Sequence, residues 1–152
     1  MPDSPRGFCA LAPPAHGAFR ALADMPALAD LIAAHAPLLL IDAASARVQL
    51  GLYGPDGEAR WAMADEEAGT GLFRCLAVLG VDPNAIRAFA FCEGPGSVLG
   101  IRTTAMVLRT WNALEVRPIF AFRSLDVVAR ALRRSGISVI ADARRDTWHC
   151  LT

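Results

Sequence analysis

Lysine is missing altogether, and all 15 basic residues are arginine. A Walker-type lysine on a phosphate and a Schiff-base lysine are therefore both excluded. Cysteine is sparse: Cys9, Cys75, Cys92 and Cys150 stand far apart and form no CxxC pair, so neither a thiolate zinc site nor a disulfide framework is expected. His16, His35 and His149 lack metal-ligand spacing, and no metal or cofactor is expected. Net charge is absent as well, with 15 basic against 15 acidic residues, so no whole-protein field favours nucleic acid or an anionic membrane. No apolar run approaches the ~20 residues that span a bilayer. The Ala- and Pro-rich start is broken by Pro13-Pro14 and has no basic region ahead of an apolar stretch, so it does not read as a secretory signal. The expected location is cytoplasmic.

What is present can build a core. A chain of 152 residues with 54% hydrophobic and 20% charged content is one globular domain, or one and a fragment. Its charge is uneven: residues 1–93 carry six Arg against eleven Asp/Glu, net −5, and residues 94–152 carry nine Arg against four, net +5. Either the C-terminal half has a polar contact surface or the asymmetry reflects only where loops fall.

The chain is organised around Phe89-Ala90-Phe91-Cys92-Glu93-Gly94-Pro95-Gly96-Ser97 and the segment that follows. Ala88 to Cys92 is apolar without alternation, as in a strand covered on both faces, and Gly94-Pro95-Gly96 supplies a sharp turn. Ser97 is placed to cap a helix from Val98 to Leu114, which contains no proline and one glycine. Arg102 and Arg109, seven residues apart, share one stripe of that helix. Val98, Ile101, Ala105, Leu108 and Trp111 lie to one side of it, and Leu99, Met106, Val107 and Leu114 spread around the other. Apolar residues so nearly encircling a helix imply burial on two sides. Either the chain's own helices cover both, or a partner covers one, approaching closely over Gly100, Thr103, Thr104 and Ala105.

Around this centre, Asp24 and Pro26 open a short helix carrying Leu28, Leu31 and Ile32 on one face, with His35 near its end. Leu38 to Asp42 and Val48 to Tyr53 read as a hairpin, and Glu58 to Met63 alternates as a third, more exposed strand after the Gly54-Pro55-Asp56-Gly57 turn. Asp65-Glu66-Glu67 places negative charge at the start of a helix through Leu72, Phe73, Leu76, Ala77 and Leu79. Pro118 to Phe122 is another strand, Ser124 is expected to cap a helix ending at Ser135-Gly136, and Ile137 to Ala141 and Thr147 to Thr152 are strand-like. Hairpins first and crossovers after predict an α/β fold with a mixed five-stranded sheet in the order β-β-β-α-β-α-β-α, followed by two further strands.

The run Leu39-Leu40-Ile41-Asp42 with Ser45, then Cys92-Glu93-Gly94-Pro95-Gly96-Ser97-Val98-Leu99-Gly100-Ile101-Arg102, then Ser124-Leu125, then Ala141-Asp142-Ala143-Arg144-Arg145-Asp146, resembles the TsaB/YeaZ family. That family is a Gcp-like branch of the actin/sugar-kinase/Hsp70 ATPase-like, ribonuclease H-like superfamily. The motifs come in the family's order over roughly residues 37–150, and the G-P-G-S-x-x-G-I-R block is the specific part. The resemblance implies an N-terminal extension over 1–36, a Gcp-like lobe over 37–136, and over 137–152 the start of a truncated second lobe. It also implies a bacterial protein of the pathway that makes the threonylcarbamoyladenosine (t6A) modification on tRNAs reading ANN codons. There it would act as a non-catalytic subunit that binds a TsaD-like catalytic subunit or itself, with a TsaE-like ATPase in the same complex. Asp65-Glu66-Glu67-Ala68 departs from the family's His-Ser pair at the start of the first helix.

From these considerations the expected partner interface is Leu99, Gly100, Arg102, Thr103, Met106, Val107, Arg109 and Thr110. A vestigial phosphate site is the expectation for Asp42, Ser45, Gly94, Gly96 and Ser97. Asp42 matches the acid that active superfamily members hold near metal-bound phosphate; its local alternative is to end a strand and accept from turn N–H groups. Ser97 is either a helix cap or a nucleophile, but G-x-G-S is not the G-x-S-x-G elbow and no base lies beside it in sequence. Gly94 and Gly96 could cradle a phosphate through backbone amides. The alternative function is thus a nucleotide-binding phosphotransferase remnant or a glycoprotease-like peptidase, and a nonfunctional relic is a third reading. Direct tRNA binding, with only Arg130, Arg133 and Arg134 as a basic stripe, is not expected.

Overall fold

The computed structural model describes residues 27–134, 136–143 and 147–151. Three apolar segments without polar interruption, β1 (Leu38–Asp42), β4 (Ala88–Gly94) and β5 (Ile119–Arg123), lie parallel at one side of a five-stranded sheet. The alternating segments β2 (Val48–Tyr53) and β3 (Ala59–Ala64) extend it antiparallel on the other side, giving the order β3-β2-β1-β4-β5. The hairpin-then-crossover pattern therefore yields the expected mixed sheet. β4 is buried from Ala88 to Cys92, as its unbroken apolar run required of a central strand.

Two helices cover one face. α2 (Ala68–Leu79) lays Leu72, Cys75, Leu76 and Leu79 on the sheet, and α3 (Val98–Leu114) adds Leu108. They meet Leu39, Ile41, Leu50, Phe89 and Phe91 in the main core. Gly71 lets α2 come close, since a Cβ there would stand 3.0 Å from Val48 Cγ2. Across the sheet, α1 (Leu28–His35) inserts Leu31 against Leu38, Ala88, Ala90 and Phe120 to make a second, smaller core, and the His35 ring lies 5.5 Å from that of Phe120. Asp24 and Pro26 lie outside the described residues, and they do not open α1, whose cap position is Ala27 with no side-chain cap hydrogen bond.

The elements after β5 differ from the expectation in detail. Ser124 does not cap α4 (Ser124–Leu132): the cap position is Arg123, and the Ser124 hydroxyl instead donates to the Pro95 carbonyl at 3.4 Å. α4 stops at Leu132, ahead of Ser135-Gly136, because Arg133 turns left-handed (φ 48°). β6 (Val139–Asp142) and β7 (Trp148–Leu151) pair antiparallel as a separate two-stranded sheet, with Ile140 and Trp148 exposed. Among the described residues no helix is long and apolar enough to cross a membrane.

Candidate functional site

Two surfaces were legible in the sequence: the junction where β4 turns into α3, and the outward side of α3. At the junction, Asp42 ends β1 and spends both carboxylate oxygens locally. Oδ1 accepts from the backbone N–H of Ala44 at 2.9 Å and of Ser45 at 3.2 Å, and Oδ2 accepts from the Ser45 hydroxyl at 2.7 Å. This closed turn presents its carbonyls to the start of α3. Ser97 N–H donates to the Ala44 carbonyl at 2.7 Å, while a Cβ on Gly96 would overlap that same oxygen. One turn further, a Cβ on Gly100 would overlap the Ala43 carbonyl. Gly94, with φ at +114°, makes the reversal that L side chains rarely allow.

The Ser97 hydroxyl accepts from Gly100 N–H at 3.1 Å, which is N-cap geometry. Among the described residues neither histidine nor carboxylate is hydrogen-bonded to it. Near the end of β4, burial pushes the Cys92 thiol up to about 11, the negative Asp42 adds to the shift, and the group stays a thiol near neutrality. The structure thus places Asp42, Ser45, Gly94, Gly96 and Ser97 around the junction of β1, β4 and α3. The Ala44 carbonyl takes the Ser97 N–H at the start of α3, so main chain of the β1–β2 turn meets the helix there. Sequence carried no sign of this contact, because the groups that make it are main-chain oxygens of two alanines. Among the described residues no group of His, Cys, Asp and Glu is arranged to hold a metal.

The second surface is the side of α3 facing away from the sheet. Gly100, Thr104 and Leu108 face inward at i, i+4 and i+8. Leu99 (65% exposed), Arg102, Met106 (68%), Arg109, Thr110 and Leu114 (79%) face or flank the open side. Of the eight expected interface residues, Leu99, Arg102, Met106, Arg109 and Thr110 are exposed and Thr103 and Val107 are half-buried, Val107 against the main core. Gly100 is buried, and the closeness it permits is to this chain's own Ala43, not to an outside helix. α2 packs beside α3 and adds Phe73 (56% exposed) and Val78 (70%) to the same layer. Sequence reasoning placed Phe73 in this helix without separating it from the buried residues and passed over Val78, although both stand off the Leu72/Leu76/Leu79 stripe and a helical projection separates them.

No protein-family model matches the chain, and no curated protein does. Solved structures do. A Pseudomonas aeruginosa protein with similarity to the peptidase YeaZ is 30% identical over 74% of this chain and 57% of that one, with a TM-score of 0.60. YeaZ from Pseudomonas aeruginosa is 29% identical over the same shares, with a TM-score of 0.58. The chain spans 57% of the length of each, a little over half. These neighbours have an actin-like ATPase fold, and this chain has its mixed five-stranded α/β part. With the G-P-G-S-x-x-G-I-R block at the β4–α3 junction, the β3-β2-β1-β4-β5 sheet and these likenesses all agreeing, the chain belongs to the TsaB/YeaZ family.

Proposed function

We propose that this chain is a non-catalytic TsaB-type subunit of tRNA t6A modification, working in the cytoplasm by docking a TsaD-like catalytic subunit through the outer face of α3 and the adjoining edge of α2. The observation that carries this is the apolar ridge of Leu99, Met106 and Leu114, left in solvent by a helix that already buries Gly100, Thr104 and Leu108 within this chain. Burying three such side chains is worth roughly 1.5–3 kcal/mol each. Association costs about 4–15 kcal/mol in lost freedom, so α3 alone is marginal and the α2 residues Phe73 and Val78 belong to the same interface.

The non-catalytic part rests on the junction. Asp42 is committed to its own turn and Ser97 to capping, and among the described residues neither histidine nor carboxylate is hydrogen-bonded to the Ser97 hydroxyl, which supports this part of the reading. The test is co-purification with the TsaD-like subunit from the same cells, followed by titration of the purified pair. Met106→Arg should abolish the complex while leaving the circular dichroism spectrum unchanged. A wild-type chain that ignores the subunit at micromolar concentration removes the proposal. ATP binding seen by calorimetry and lost in Asp42→Ala would favour the phosphotransferase reading instead.

A further inference from the structure

The five-stranded sheet has an open edge at β3, beyond which no strand lies among the described residues. The Gly54 N–H donates to the Glu58 carbonyl at 2.9 Å, and that bond sets the phase of the β2–β3 ladder. Arg60, Ala62 and Ala64, in step with Glu58, turn their main-chain groups toward β2, so Ala59, Trp61 and Met63 point theirs outward. Sheets usually blunt such an edge with lysine, proline, a bulge or a very short strand. Here the chain has no lysine, β3 has six residues and no proline, and its pairing with β2 runs without a shift in register. Two large apolar side chains accompany the open groups. Trp61 (50% exposed) lies over Gly51, where a Cβ would come within 2.9 Å of the ring, and meets Tyr53 edge-on at 5.9 Å, while Met63 is 63% exposed.

We propose that this edge pairs with the same edge of a second copy, antiparallel about a two-fold axis at Ala62. Outward-bonding residues must face one another, so three registers overlap the strands well: Trp61 opposite its counterpart, Trp61 opposite Met63, or Met63 opposite its counterpart. The first sets Met63 against Ala59, and the third sets Trp61 against Asp65. The second crosses Trp61 of each copy with Met63 of the other and brings Ala62 to its counterpart at the axis, where the close non-hydrogen-bonded pair suits small side chains. A thioether against an aromatic ring is a favourable contact, and the flexible Met63 side chain suits it. Arg60 of each copy then stands opposite Ala64, so no like charges are opposed within the strands. The axis is normal to the sheet and places both copies of α2 on one face. Because α2 sits over β2 and β3, the two helices come about two strand spacings apart, roughly 9–10 Å, a helix-packing distance. Two five-stranded sheets thereby become one. The outward side of α3 takes no part, so this pairing is independent of the docking proposed above.

The experiment is sedimentation of the full chain, followed by cross-linking. At micromolar concentration the wild type should be dimeric, and so should Met106→Arg, which disables the α3 face. Met63→Lys, an edge lysine at an exposed position, should weaken the dimer at least tenfold with an unchanged circular dichroism spectrum. The register is read in a Cys9→Ser/Cys150→Ser background. Trp61→Cys in one tagged copy and Met63→Cys in another should join in a disulfide on mild oxidation, because opposed hydrogen-bonded residues have Cα atoms about 5.5 Å apart, and neither variant should cross-link to itself. A wild-type monomer at that concentration overturns the proposal, as does a dimer lost in Met106→Arg and kept in Met63→Lys. Cross-linking of each variant with itself but not with the other overturns it as well. A monomer whose binding to the TsaD-like subunit is lost in Met63→Lys gives the edge to that subunit, and self-pairing is then wrong.

Discussion

The carbonyl oxygen of Ala43 occupies the space that a side chain on Gly100 would need. This contact seats α3 on the β1–β2 turn, and with it the whole face proposed for docking. Gly100→Ala forces the turn and helix apart at a point where backbone meets backbone and no flexible side chain can yield. The expected cost is about 1–3 kcal/mol or more, as for overpacked cores. Gly69, in the first turn of α2, has nothing within 4 Å of where its Cβ would be and no positive φ. Gly69→Ala should therefore stabilise by about 0.5–1 kcal/mol. Urea denaturation of the two variants checks the opposite signs, and equal effects would mean that α3 does not rest on the turn.

Arg117 is a buried cation with mostly neutral partners. Its guanidinium donates to the carbonyls of Pro83, of Ile86 at 3.1 Å and of Trp111 at 3.4 Å, lies 5.1 Å from the centre of the Phe89 ring, and has only the outer Glu115 carboxylate at 4.0 Å. It ties the loop before β4 to the C-terminal end of α3, because a planar fork can reach several carbonyls at once. Arg117→Met leaves those acceptors without their donor, and a loss of about 2–4 kcal/mol is expected. Arg117→Lys should recover only part of that loss, since a single ammonium cannot reproduce the fork or its stacking. Thermal denaturation of the pair decides it, and full rescue by lysine would reduce the role of Arg117 to charge alone.

Most of this fold was legible because it rests on local signals: the unbroken apolar run of β4, the Gly94-Pro95-Gly96 turn and the Ser97 cap all appear where the residue types put them. Ser124 misled because serine is a good cap in general, whereas here a tertiary acceptor, the Pro95 carbonyl, takes its hydroxyl and Arg123 holds the cap position. The contact between the β1–β2 turn and the start of α3 was illegible for a different reason, since main-chain oxygens of Ala43 and Ala44 carry no residue-type signature. The same fact recasts Gly100. Sequence could say that close approach was allowed there, but not from which side.

Ser97 is the group most easily mistaken for a nucleophile, and stability separates the roles. As an N-cap, Ser97→Ala should cost about 1 kcal/mol, while Ser97→Gly costs only a few tenths and Ser97→Asp is tolerated. Chemical denaturation of the three variants, run beside titration against the TsaD-like subunit, should show this order of stability with affinity unchanged. Loss of a peptidase or ATPase activity in Ser97→Ala, without the stability order, would show that capping is not its function.

Alkaline pH should reveal the buried thiols. In the folded protein burial, and then the negative charge of Asp42, raises the Cys92 thiol from its ordinary 9.0 to about 11, and burial raises Cys75 in the same direction. An acid whose folded value lies above its unfolded value binds its proton more tightly in the native state. Its contribution to stability is therefore complete below pH 9 and is lost as pH rises from 9 towards 11, because the unfolded chain ionises first. The urea midpoint should fall across that interval, and Cys92→Ala, though less stable near neutrality from the lost packing, should show a shallower fall. Thiol labelling under native conditions at pH 8 should modify the exposed Cys150 and spare Cys75 and Cys92, since the reactive thiolate is scarce and out of reach at both buried positions. Rapid native labelling of Cys92 would mean that the β4–α3 junction opens readily, and the seating of α3 on Ala43 and Ala44 would have to be abandoned.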